Sequence, residues 1–152
     1  MILWGLIAVL IIALDQITKY LVINNIGPND TVTVIKNVFE FVYVKNTGGA
    51  FSILNNATWL LSIVSIIFCI GVVVYFIKVK PKEKNICLAL SMMFAGALGN
   101  AIDRIFRGFV VDFIKTSFIN FPVFNVADIA ITVGAVILVA KMVFFDNTKN
   151  LK

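Results

Sequence analysis

Asp112, in Val110-Val111-Asp112-Phe113, and Asp128, in Phe124-Asn125-Val126-Ala127-Asp128, are carboxylates set among apolar residues in a chain without histidine. A carboxylate beside hydrocarbon is costly unless it does chemistry or meets a polar ligand. The chemistry open to such a pair is hydrolysis. One ionised carboxylate takes a proton from water while the other, protonated, polarises the scissile carbonyl, because like charges in close contact do not both ionise cheaply. The missing histidine removes Ser-His and Cys-His nucleophiles, the His-Glu-x-x-His zinc motif and a haem ligand. A Ser-Lys dyad is the formal rival, but Ser52 and Ser62 lie in no nucleophile context and Lys19 has Asp15 one turn away. Carboxylates also bind magnesium or calcium; no EF-hand spacing or phosphate loop accompanies these, and no metal or other cofactor is expected.

Such a pair needs elements that cross a bilayer. Of the 152 residues, 61% are apolar and 14% charged, with a mean hydropathy of +1.01, against about half apolar in soluble domains. One integral membrane domain over residues 1–152 is expected, with helices at about 2–23, 57–77, 86–105 and 126–145 and connections at 24–56 and 106–124. Each helix approaches the ~20 residues that a ~30 Å hydrocarbon core demands. The first has an uncharged run only to Leu14, so it must continue through Asp15, Gln16 and Lys19. A cleaved signal peptide fits this segment poorly, since no basic stretch precedes Leu3-Trp4.

Lys78, Lys80, Lys82 and Lys84 crowd one connection, and Lys141, Lys149 and Lys152 follow or end the last helix. These ends are expected in the cytosol, with both termini, while the connections bearing Lys36, Lys45, Arg107 and Lys115 face outward. The net charge of +5 therefore reads as membrane topology and not as a nucleic-acid face. Cys69 and Cys87 resemble small buried hydrophobes. In the first outer connection, a Gly27-Pro28-Asn29-Asp30 turn precedes two β-rich runs, Thr31 to Ile35 and Val38 to Val44, divided by Lys36-Asn37 as in a hairpin. Phe109 to Lys115 can add a strand or a lid. The fold class expected is a mainly α membrane protein of four transmembrane helices with a small extracytoplasmic β-sheet.

These directions bring Asp15, Lys19, Asn46, Asn100, Asp103, Arg104, Asp112, Asn125 and Asp128 to the outer side. Gly96, Asn100, Asp103 and Arg104 share one face of the third helix, and Asp15 and Lys19 are an i, i+4 pair. Each has a plainer role beside the functional one. Asp15 with Lys19 also reads as an intrahelical ion pair, Asn125 with Asp128 as a helix cap, and Asp103 with Arg104 as a packing or interface ion pair. Gly96 and Gly99 read as helix packing, Asn46-Thr47-Gly48-Gly49 as a turn. Asp112 reads as a solvated loop charge, weakly, given its apolar neighbours.

Five blocks in order complete a pattern. They are Asp15-Gln16-Ile17-Thr18-Lys19, Asn46-Thr47-Gly48-Gly49-Ala50-Phe51, Gly96-Ala97-Leu98-Gly99-Asn100-Ala101-Ile102-Asp103-Arg104, Val110-Val111-Asp112-Phe113 and Phe124-Asn125-Val126-Ala127-Asp128. With them the chain resembles the lipoprotein signal peptidases, or signal peptidases II, over nearly its whole length. The resemblance implies an aspartyl peptidase of the bacterial cell membrane whose extracytoplasmic sheet, the β-cradle, holds the substrate. It implies Asp112 and Asp128 as catalytic dyad, and a prolipoprotein substrate cut just before its diacylglyceryl-modified cysteine. Asn46, Gly48, Asn100, Arg104, Asn125 and Ala127 would line or support the site, Asp103 would support it, and Asp15 and Lys19 would stabilise it. Gly49 departs from the alanine of many members but removes no functional group. Membrane lipids and globomycin-type inhibitors are the other implied partners, and a monomer is expected. Asp128, starting a helix whose dipole favours a carboxylate, is expected ionised and Asp112 protonated. Phe51, Phe109 and Phe118 are candidates to close over the substrate. A small proton-coupled transporter is the alternative, but it would string its carboxylates to both faces.

Overall fold

The structure, a computed structural model, describes residues 1–49 and 57–146. Ser52, the expected closing residue Phe51, and the topological lysines Lys149 and Lys152 lie outside the described residues. Helix α1 (Ile2–Asn25) does continue through its polar residues. It stops where Ile26 turns extended, and Gly27 to Asp30 form the turn read from sequence, with Asp30 N donating to Gly27 O at 3.0 Å. Strands β1 (Thr31–Ile35) and β2 (Phe39–Asn46) follow as an antiparallel hairpin, with Asn37 at the positive φ of 62° that its reversal requires. Helices α2 (Thr58–Val79) and α3 (Lys84–Arg107) precede strand β3 (Val110–Thr116). Helix α4 (Val126–Ala140) runs on into a π-helical stretch, Lys141–Asp146. Four helices are thus long and apolar enough to cross a membrane, joined by a three-stranded antiparallel sheet of order β1-β2-β3.

Helix α3 is the central element, packed against α1, α2 and α4. Its buried side is made of small residues, among them Ala89, Ser91, Ala95, Gly96, Ala97, Gly99 and Ala101, which let neighbouring backbones approach closely. A Cβ on Gly96 would run into the Ala127 carbonyl oxygen and lie 2.7 Å from Ile131 Cγ1, and one on Gly99 would meet Asp15 Oδ2 at 2.7 Å. The helix-packing role of both glycines is therefore the one the structure displays. The bundle's outer surface is apolar, with Ile2, Val64, Ile67 and Val136 exposed, as suits a hydrocarbon surround.

The sheet is fastened to the bundle by a cluster of Val22, Ile26, Val111 and Phe113, with Phe41 stacked edge-on to Phe113 at 5.8 Å. Alternation along a strand then decides what Asp112 does. With Val111 and Phe113 turned into this cluster, Asp112 points to the opposite face, in register with Val44 of β2. The segment expected as a strand or lid is a strand. Arg107, expected in the outer connection, is instead the last residue of α3.

Candidate active site

Asp128 occupies the third position of α4 and is fixed there by the helix cap. Asn125 Oδ1 accepts from Asp128 N at 3.0 Å, and Asp128 Oδ2 accepts from Asn125 N at 3.1 Å, a reciprocal capping box. The plain capping role is thus real, and it also locks the carboxylate's orientation. Its other oxygen, Oδ1, accepts from Asn100 Nδ2 at 2.8 Å. Asp112 arrives from β3 and is held by two amides: Asn125 Nδ2 donates to its Oδ1 at 2.7 Å and Asn46 Nδ2 to its Oδ2 at 2.8 Å. Asn125 therefore touches both carboxylates, one through its side-chain nitrogen and the other through its cap. Asp112 is buried, so it is no solvated loop charge.

Burial is the main reason that the Asp112 carboxyl holds its proton up to about pH 6, and the Asp128 charge nearby acts in the same direction. The amides of Asn46 and Asn125 and the charge of Lys19 oppose both effects only in part. Two carboxyls side by side, one with a raised proton affinity, can serve as an acid and a base at once.

A buried polar network carries the pair. Lys19 is wholly buried and its Nζ lies 2.9 Å from Asp15 Oδ2, 2.9 Å from Asp103 Oδ2 and 3.0 Å from Asn100 Oδ1. Asp15 also accepts from the Ala127 amide at 2.9 Å, so α1 satisfies a free N–H in the first turn of α4. Ala127 is fully buried, leaving no room for a larger side chain. Asn46 Oδ1 accepts from Gly48 N at 2.9 Å, a turn that fixes the amide aimed at Asp112. Arg104 reaches across from α3 to donate to Gly48 O at 3.2 Å, and its Nε is buried without a partner among the described residues.

Several expectations need correction. Asp103 and Arg104 do not pair: Asp103 binds Lys19, Arg107 and the Val111 amide, while Arg104 turns to Gly48. The reason is geometric, since adjacent residues leave a helix in different directions and i, i+4 residues meet. Phe118 stacks on Phe39 with ring centroids 6.4 Å apart, and Phe109 lies beneath Lys45 at 5.1 Å; neither lines the cavity at the two aspartates. Phe121 and Phe124 do; Phe124 opens the block that carries Asp128, whereas nothing in the sequence marked Phe121. Gln16 was also missed as a site residue: it donates to Asp15 at 3.1 Å, Gly99 O at 3.2 Å and Asp103 at 3.3 Å. Its place beside Asp15 in a buried stretch was the available signal. Among the described residues, the end of the bundle away from the sheet carries an ion pair, Lys141 with Glu83 at 2.8 Å. Ser62 donates its hydroxyl to Thr58 O at 2.8 Å.

The cavity has a volume of about 810 Å³. Asn46, Asn100, Arg104, Asp112 and Asp128 gather at its polar part, while Leu61 and Val64 of α2 and Ile129 and Val133 of α4 give it an apolar wall. Such a space suits an extended polar backbone joined to something apolar. Among the described residues no three His, Cys, Asp or Glu side chains gather as a metal centre would require.

Comparison with known proteins gives a consistent result. The family described as signal peptidase (SPase) II matches residues 7–144. A lipoprotein signal peptidase of Brevibacillus brevis is 44% identical over 145 residues, 95% of this chain and 97% of that one. Another, of Geobacillus thermodenitrificans, is 40% identical, covering 95% and 91%. Two solved chains described as bacterial membrane enzymes superpose with TM-scores of 0.89 and 0.85, each at 36% identity. The matches span 98% and 93% of this chain and 91% and 93% of theirs.

Proposed function

The chain belongs to the signal peptidase II family, and from that premise we propose that it is an aspartic endopeptidase whose catalytic pair is Asp112 and Asp128. The family makes it a multi-pass bacterial membrane peptidase that processes the signal peptides of prolipoproteins. The finer reading is that it cuts just before the diacylglyceryl-modified cysteine. The observation that carries the mechanism is the bridging by Asn125 of two carboxylates, one of which keeps its proton to about pH 6.

Asp112, protonated, donates a hydrogen bond to the scissile carbonyl. Asp128, with the amide dipoles of the first turn of α4 behind it, takes a proton from the attacking water. As the water oxygen bonds to the carbonyl carbon, Asp112 passes its proton to the carbonyl oxygen and a tetrahedral diol results; it collapses when Asp128 gives its proton to the leaving nitrogen, the C–N bond breaks and a diol hydroxyl returns a proton to Asp112. Asn46, Asn100 and Asn125 keep the two carboxylates in place, Arg104, held by the Gly48 carbonyl, faces the peptide backbone, and Asp15, Lys19, Asp103 and Ala127 support them from behind. The apolar wall from α2 and α4 lets the acyl chains stay in hydrocarbon while the peptide reaches the carboxylates. A globomycin-type cyclic peptide would occupy the same cavity. The termini lie in the cytosol, the site lies on the extracytoplasmic side, and the chain acts as a monomer over residues 1–152.

The test uses purified protein and a diacylglyceryl-modified prolipoprotein peptide, with products identified by mass. Asp112→Asn and Asp128→Asn are each expected to lower kcat by about 10³-fold or more while the folded protein is retained, since members of one catalytic unit fail together. Cleavage surviving in both variants overturns the aspartic mechanism. Cleavage at another bond, or equally fast cleavage of the unlipidated peptide, overturns the substrate assignment.

A further inference from the structure

Helix α3 closes on Arg107, Gly108 takes a left-handed φ of 78°, and β3 begins at Val110. The strand that carries Asp112 therefore leaves the helix across two residues, and its direction depends on what holds its first amides. The Val111 amide, one residue before Asp112, donates to Asp103 Oδ2 at 3.1 Å. The other oxygen, Asp103 Oδ1, is held by Arg107 Nη1 and by Gln16 Nε2 at 3.3 Å; Arg107 Nη1 donates in addition to Gln16 Oε1 at 3.3 Å. Asp15, Lys19 and Asp103 are wholly buried, and one ammonium between two carboxylates leaves an excess negative charge. Arg107, entering from the partly exposed end of α3, balances it.

We propose that Arg107 is a positioning residue for Asp112, fixing the Asp103 carboxylate that anchors the Val111 amide and so the direction in which β3 presents Asp112. Arg107 is not among the residues lining the cavity, so it acts through Asp103 and not on the substrate. The inference rests on Asp112 being catalytic. Asp103 is faced by Asp15, Gln16 and Lys19 from α1, by Arg107 on its own helix and by the Val111 amide from β3. Asp112 is faced by Asn46 from β2, by Asn125 and Asp128 beside and within α4, and by the charges of Arg104 and Lys19. Loss of the Arg107 charge leaves the Asp15–Lys19–Asp103 cluster, whose Lys19 charge reaches Asp112, net negative, so Asp112 releases its proton at higher pH.

Steady-state cleavage of the lipidated peptide is measured against pH for wild type, Arg107→Gln, Arg107→Lys and, as control, Asp112→Asn. For Arg107→Gln the expected result is a fall in kcat of about tenfold with KM within about twofold, and an alkaline limb moved up by roughly half a pH unit. Arg107→Lys, which keeps the charge, should return the limb to the wild-type position and recover most of kcat. Unchanged kcat and limb in Arg107→Gln overturn the proposal. So does a lower melting temperature with an unmoved limb that lysine fails to rescue, which is the mark of a purely structural residue. If Arg107→Gln does not fold, Gln16→Ala, which also loses its bonds to Asp15, Gly99 O and Asp103, is measured alone and combined with Arg107→Lys: non-additive falls in kcat at constant KM support the proposal, and additive falls or wild-type kcat overturn it. Activity retained in Asp112→Asn would instead sink the catalytic premise, a result separate from any of these.

Discussion

Asn46 and Asn125 both donate to Asp112, but Asn46 does not touch Asp128, so it isolates one half of the pair. Its hydrogen bond favours the ionised form of Asp112, against burial and the Asp128 charge, which favour the protonated form. If Asp112 must carry a proton, kcat/KM declines as pH rises through about 6. Asn46→Ala removes an interaction that holds the proton affinity down, so this alkaline limb should move to higher pH; a pH profile of kcat/KM checks it, and a shift to lower pH contradicts the assignment. At this scale the sequence was informative wherever a charge stood out against apolar neighbours, as at Asp15, Lys19, Asp112 and Asp128. It was silent on Phe121, one of many phenylalanines, and misleading on Asp103, whose neighbour in the chain is not its neighbour in space.

The cap of α4 makes an element the mounting of the site. Asn125→Ala removes both the cap and the amide on Asp112, so it should lose about 1 kcal/mol of stability and about 10²-fold in kcat. Asn125→Asp separates the two effects. Aspartate still caps a helix, so the melting temperature should return towards wild type, while an acceptor opposite Asp112 in place of a donor keeps cleavage low. Melting curves beside cleavage rates decide this, and recovery of both together would deny Asn125 its bridging role. The helices themselves were legible from apolar length, and the hairpin from Gly27 to Asp30 and Lys36-Asn37. The end of α3 was read short, at about residue 105; the helix runs on to Arg107, which pairs with Asp103 one turn back.

For the molecule as a whole, hydropathy gives the number of crossings and lysine placement an expected direction, but no local pattern encodes that Asp15 of α1 will meet the Ala127 amide of α4. The proposed orientation is testable in a background lacking Cys69 and Cys87, which are buried and unpaired. Lys36→Cys should react with a membrane-impermeant maleimide on intact spheroplasts and Lys80→Cys only after lysis; the reverse pattern would invert the topology. The ion pairs bear also on how the chain enters the membrane. Asp15 has Lys19 one turn further along α1, and Asp103 has Arg107 one turn further along α3. Each polar helix thus brings its own counter-ion out of the ribosome and can partition into the bilayer before its neighbour exists. The bond from Lys19 to Asp103 then forms between helices already inserted, so for these two pairs assembly exchanges partners between groups that were each neutralised beforehand.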